Sequence, residues 1–173
     1  MVRFTDAALA RLRDRLQHRG ERPSVVMPNA SASTTQVLEA MQIVTEYGPL
    51  CEAMFLVMLA DGRVKNVERD VLRGALRTLT DDRVRSNQIE SMLDAAARNV
   101  AEHGFKARLD EVIHRLKGDP ARAELTYVLA AAVAAADDKV VPEEQAVLDT
   151  LCEGLGLDEK RVLELMADFT RQA

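Results

Sequence analysis

LADGRVKNVERDVLRGAL, residues 59–76, opens as the end of one helix and closes as the body of another. Leu59 and Ala60 finish an apolar run that Asp61-Gly62 interrupts. From Val67 onward the apolar residues return at helical spacing as Val67, Val71, Leu72, Ala75, Leu76 and Leu79. The stretch therefore reads as a helix, a tight elbow and a second helix, with an acidic residue at the break and Glu68 just inside the restart.

A second stretch repeats the pattern. AAADDKVVPEEQAVLDTL, residues 134–151, aligns with the first at an offset of 76 residues. Ala60, Asp61, Val64 and Glu68 then fall on Ala136, Asp137, Val140 and Glu144, while Val57, Val71, Leu72 and Leu79 fall on Val133, Val147, Leu148 and Leu155. Matches at both the turn and the buried stripe predict two copies of one helix-loop-helix unit, packed about a pseudo-twofold axis around a shared core.

The chemistry of each elbow follows from where it stands. A short carboxylate at a helix end accepts hydrogen bonds from loop N–H groups that no helix satisfies, which is the expected task of Asp61 and Asp137. Gly62 permits a positive φ, and Asp138, its counterpart, is one of the few residue types that tolerates it. Pro142 suits the first helical position, which puts Glu144 at the third, where it can reach back to the N-cap N–H; Glu68 should do the same. Val64 and Val140, apolar within polar loops, are expected to plug the open ends of their hairpins. A second reading of the same residues is metallic. Asp61, Glu68, Asp137, Asp138 and Glu144 offer hard oxygen ligands suited to a divalent cation such as Ca²⁺ or Mg²⁺, with backbone carbonyls or waters completing the set. An EF-hand is excluded, because Arg63 and Lys65 stand where that loop needs oxygen ligands.

Outward from the elbows the chain is helical. Residues 5–18 place Leu9, Leu12 and Leu16 on one face, with Thr5 as an N-cap. Residues 19–33 carry prolines, serines and a glycine and read as a linker, flexible in character, so the expected division is a basic helix 1–18, a linker 19–33 and an all-helical domain 34–173. Within that domain Gly48-Pro49 should break or kink a helix starting at Thr34. Helices are expected over 50–60, 67–79, up to 103, 105–117, 120–136, 142–154 and 158–171. Asp119 should cap at Pro120, Gly156 should terminate the next helix, and Asp158 should cap the last. No segment alternates with period two, so the fold class is all-α, a bundle of seven to eight helices.

Composition agrees. Of 173 residues, 47% are apolar and only 3% aromatic, so the core must be Ala, Leu, Val and Met, which suits close helix packing. The net charge of −5 argues against a nucleic-acid partner. It is unevenly spread: residues 1–22 hold six arginines against three acidic residues, leaving −8 on the rest. That basic helix could face an acidic partner or a membrane surface, though a solvated face with local ion pairs is the favoured reading. Cys51 and Cys152 form no C-x-x-C pair and read as reduced core thiols. With no signal peptide and no apolar run long enough to span a bilayer, the expected address is cytoplasmic.

The pattern A-D-G-x-V-x-x-x-E, nearly intact as ADGRVKNVE (60–68) and varied as ADDKVVPEE (136–144), together with GLGLDEKRV (154–162), resembles the TerB family of tellurite-resistance proteins over roughly Thr34 to Phe169. The resemblance implies an all-α domain with internal pseudosymmetry, no enzymatic activity and an association with tellurite, chemical or phage stress. It also implies partners, since such domains occur beside J-domains and membrane-linked modules, and acidic clusters proposed to bind metal. By position Asp61, Glu68, Asp137 and Glu144 would carry that role. This chain departs where Asp138 replaces the loop glycine and where Lys65 and Asn66 replace a small polar residue and a proline; the added charge of Asp138 favours the second loop as a metal site.

The functional expectation is thus a non-catalytic stress-response module that binds a protein partner, a second copy of the chain among the candidates, and that can take up a divalent cation. The alternatives are a small-molecule binder using Met41, Met54, Met58 and Met92, or a helical enzyme with an unrecognised site. His18, His103 and His114 are scattered, and neither a redox C-x-x-C nor the Glu-x-x-His pairs of a diiron bundle is present, so nothing in the sequence nominates a reaction.

Overall fold

A computed structural model describes residues 7–21 and 34–171, omitting the side chains of a few residues, 166–171 chief among them. Its elements are α1 (Ala7–Glu21), α2 (Thr34–Leu59), α3 (Asn66–Leu79), α4 (Ser86–His103), α5 (Phe105–Leu116), α6 (Pro120–Ala134), α7 (Pro142–Leu155) and α8 (Glu159–Arg171), with no strand among the described residues. The expected cap at Thr5 lies outside the described residues.

The two repeats become α2–α3 and α6–α7. In each, the C-terminal half of the first helix sits at the centre: Ala53 to Met58 and Val128 to Ala134 are all buried. In each, the second helix is amphipathic and turns its stripe inward, with Val71, Leu72, Ala75 and Leu76 in α3 matched by Val147, Leu148 and Leu151 in α7. The first helices pack on each other, α3 packs on α6 and α7 packs on α2, which are the reciprocal contacts a pseudo-twofold arrangement demands. Alanines in α6 allow this close approach. Among the buried carboxylates, Glu52 of α2 is held by Arg108 through Nε–Oε1 at 2.7 Å and Nη2–Oε2 at 2.9 Å, the bidentate geometry that makes such burial tolerable.

Three expectations need correction. Gly48-Pro49 does not end a helix: α2 runs unbroken through Pro49, whose missing N–H costs one rung while the apolar burial of Leu50 onward holds the segment in place. Val64 is no plug, since it is 40% exposed, whereas Val140 is half-buried against the core. The basic N-terminal helix runs past residue 18 to Glu21 and belongs to the core, with Leu9, Leu12 and Leu16 buried in the same apolar cluster as the repeats. Two glycines make this docking possible. A Cβ on Gly74 would lie 1.7 Å from Leu16 O, and one on Gly20 would lie 1.8 Å from Asp70 O, so α1 and α3 touch backbone to backbone. Residues 22–33 lie outside the described structure.

Local stop and start signals behave as expected. Asp119 accepts from Arg122 N at 3.1 Å with Pro120 at the first helical position, Gly156 ends α7 at φ 74°, and Asp158 accepts from Arg161 N at 2.7 Å.

Candidate functional site

The two elbows are built alike. Asp61 Oδ1 accepts from Arg63 N at 2.8 Å, and Asp137 Oδ1 accepts from Lys139 N at 3.3 Å, each carboxylate closing its own loop two residues on. The residue that follows has positive φ in both, Gly62 at 76° and Asp138 at 64°. The glutamate at the third helical position reaches back in both: Lys65 N donates to Glu68 Oε2 at 3.3 Å, and Val141 N donates to Glu144 Oε2 at 3.1 Å. Only this half of a capping box forms, because neither Lys65 nor Val141 has a side-chain acceptor. Arg85 N makes the same contact with Gln88 Oε1 at 2.8 Å at the start of α4, a third use of the device.

Each glutamate thereby spends one oxygen on its cap. The other points into the protein. Glu68 is 1% and Glu144 0% exposed, and neither Oε1 has a hydrogen-bond partner. Lys65 answers both. Its Nζ lies 3.0 Å from Glu68 Oε1, an ion-pair contact outside hydrogen-bonding angles, 2.9 Å from Asp137 Oδ2 and 4.0 Å from Glu144 Oε1. A lysine of the first elbow thus reaches across to Asp137 and Glu144 of the second, and its equivalent position there is Val141. Three carboxylates converge on one ammonium group.

The electrostatics follow from that excess of negative charge. Burial pushes the Glu144 carboxyl up to about 7; the Val141 N–H opposes this and the charge of Glu68 reinforces it. Burial also raises Glu68, against the pull of Lys65. Asp137 is desolvated as well, but its hydrogen bond and charge contact with Lys65 prevail and hold it below the usual range. The Lys65 ammonium is stabilised far above its ordinary value, first by Asp137 and then, against the cost of burial, by Glu68.

The five candidate residues are therefore not one constellation. Glu68, Asp137 and Glu144 meet at Lys65. Asp61 stays with its own loop. Asp138 is exposed and pairs with Arg13 of α1, whose Nη1 also donates to Ala135 O at 3.1 Å. Among the described residues no group of three or more His, Cys, Asp or Glu side chains is placed to hold a metal ion together. Sequence reasoning missed Lys65 and Arg13 as the cations that organise the elbows. Lys65 had a signal, being a departure from the family pattern within the motif itself; Arg13 had none, since its contact spans 125 residues.

The other residues singled out in the sequence do not come together. Met54 and Met58 are buried core, while Met41 is 62% exposed, so the four methionines do not share a site. His18, His103 and His114 are all exposed. Burial pushes the Cys51 thiol up to about 12, and Cys152 Sγ donates to Leu157 O at 3.0 Å, so neither is an activated nucleophile. No described helix is long and apolar enough to cross a membrane.

A protein-family model, that of tellurite resistance protein TerB, matches residues 49–167, from the middle of α2 into α8. No curated protein matches the chain, and no solved structure does.

Proposed function

The chain belongs to the TerB family, and on that premise we propose that it is a non-catalytic, cytoplasmic stress-response module of the tellurite-resistance type, which binds a protein partner and takes up a divalent cation at the carboxylate junction. The convergence of Glu68, Asp137 and Glu144 on Lys65 Nζ carries the reading. Two buried carboxylate oxygens without hydrogen-bond partners are costly to maintain, and they suit a hard cation better than a single ammonium group. As they stand these three residues form no ligand set, so they would have to draw together to hold the ion, which would supply the second positive charge that the junction lacks. Lys65 is then a tethered competitor: binding requires its displacement, so affinity in the native chain is weak and Lys65→Met strengthens it. Asp61 and Asp138, engaged within their own loop and by Arg13, contribute to loop order rather than to the ion.

Calorimetric titration with Ca²⁺, Mg²⁺ and Zn²⁺ tests the cation half of the reading. Expected are weak binding by the native chain, tighter binding by Lys65→Met and none by Asp137→Asn in the Lys65→Met background. No heat from any ion with Lys65→Met sinks it. Growth of a strain lacking the gene on tellurite tests the stress half, with restored tolerance expected from the native gene.

A further inference from the structure

The first half of α2 lies outside the residues that match the family, and its surface is unlike the rest of the molecule. Of six large apolar side chains exposed among the described residues, four fall within eight positions of this helix: Val37 (47%), Leu38 (61%), Met41 (62%) and Val44 (48%). Val37, Met41 and Val44 follow the i, i+4, i+7 spacing of a seam between helices. The face beside them turns inward, with Ile43 and Tyr47 against the core and Tyr47 Oη donating to Leu79 O at 3.2 Å, so the helix is anchored while Val37, Met41 and Val44 stay exposed along a groove.

A groove of about 940 Å³ runs alongside, with the arm as one wall and Arg83, Arg85, Gln88, Ser91, Met92 and Ala95 as the other. Its charges are sorted by wall. Residues 34–49 carry Glu39 and Glu46 and no lysine or arginine, while the opposite wall carries Arg83 and Arg85 and no acidic residue. Arg83 and Arg85 form no ion pair among the described residues; Arg83 Nε donates to Thr80 O at 3.0 Å.

We propose that this face docks a second copy of the chain, the α2 arm of each copy lying in the groove of the other. The stripe lines the groove, so a twofold pairing covers both at once, each apolar arm meeting an apolar floor and each acidic arm meeting a basic wall. Contact between like segments gives this charge sorting an intermolecular use, since each arm brings only acidic charge and each opposite wall only basic charge. The inference names the partner for the interaction half of the proposed function and rests on residues remote from the carboxylate junction.

Sedimentation equilibrium of the full chain, from low micromolar to several hundred micromolar, tests it. The native chain is expected to dimerise. Met41→Glu with Val44→Glu should raise the dimer dissociation constant by about tenfold or more, with helicity, melting temperature and cation titration unchanged. Glu39→Arg with Glu46→Arg should be monomeric, as should Arg83→Glu with Arg85→Glu, while an equal mixture of these two variants should dimerise again because each arm then meets a wall of opposite sign. A native chain that is monomeric throughout overturns the proposal and leaves the face to residues 22–33 of the same chain or to a foreign apolar helix. Charge variants that dimerise as tightly as the native chain, or a mixture that stays monomeric, overturn it equally.

Discussion

The elbow at residues 61–65 and the elbow at residues 137–141 share a backbone and differ in almost every outward side chain. Both close with an aspartate accepting from the N–H two residues on, both follow it with a positive φ, and both cap the next helix with a glutamate. Yet the first has glycine, an exposed valine and a lysine where the second has an aspartate, a half-buried valine and a second valine. What persists is what the chain reversal requires; what differs is how the charge left over is neutralised. One lysine serves two elbows, so the loops form a single electrostatic unit despite standing 76 residues apart.

The largest test of that unity is Lys65→Met. It leaves Glu68, Asp137 and Glu144 without their common cation and should cost about 2–4 kcal/mol at pH 7.5, read by urea unfolding, the partial exposure of Lys65 and Asp137 keeping it toward the lower part of the range for buried pairs. The deficit should shrink toward pH 5 as the carboxylates take up protons. Moving the lysine to the other elbow, as Lys65→Val with Val141→Lys, should recover most of the loss. Failure to recover would show that the elbows are not interchangeable.

The glutamates separate next by pH. The ordinary Glu144 value of 4.5 rises to about 7 in the fold, so the folded chain binds more protons than the unfolded chain between these values. Stability from this group is complete below pH 4.5 and is lost as pH rises through 7. Glu144→Gln removes the slope, so relative to the native chain it should gain about 2–3 kcal/mol between pH 4.5 and pH 8. Glu68→Gln should show the same sign with a smaller change, because Lys65 lies nearer to Glu68. Asp137 acts in the opposite sense and outside that window, its contribution being lost only as pH falls below 3.8.

Backbone strain distinguishes the loops more gently. Gly62→Ala should cost about 1 kcal/mol, since φ is 76° and space is not the obstacle. Asp138→Gly relieves a similar strain but releases Arg13 from an exposed pair, so its net effect should stay within about 0.5 kcal/mol. The valines divide by burial: Val140→Ser should cost about 1 kcal/mol and Val64→Ser, the smallest effect, less than about 0.5 kcal/mol, measured as melting-temperature shifts.

The elbows were legible in advance because everything in them is local. Asp-to-N–H closure, positive φ and a glutamate cap depend on residues within a few positions of each other, and Asp61-Gly62 with Glu68 displays them all. The meeting of Lys65 with Asp137 is tertiary, and no spacing announces it. Val64 misled for a related reason, since an apolar residue in a polar loop signals burial only if a neighbour arrives to cover it. Gly20 misled because a glycine among prolines and serines reads as punctuation, whereas here it permits close backbone contact with Asp70. Pro49 shows packing overriding local preference: apolar burial on its C-terminal side outweighs one missing hydrogen bond.

The glycine-to-backbone contact of α1 with α3 bears on how the protein can be dissected. An expression fragment cut to residues 49–167 would strip away Leu9, Leu12 and Leu16, leave a bare trough along α3, and remove the guanidinium that Arg13 lends to the second elbow. Such a fragment should be sticky and less stable than its parent, so its behaviour would say little about the intact chain; the smallest faithful unit includes the amino-terminal helix as a lid that was never a tail.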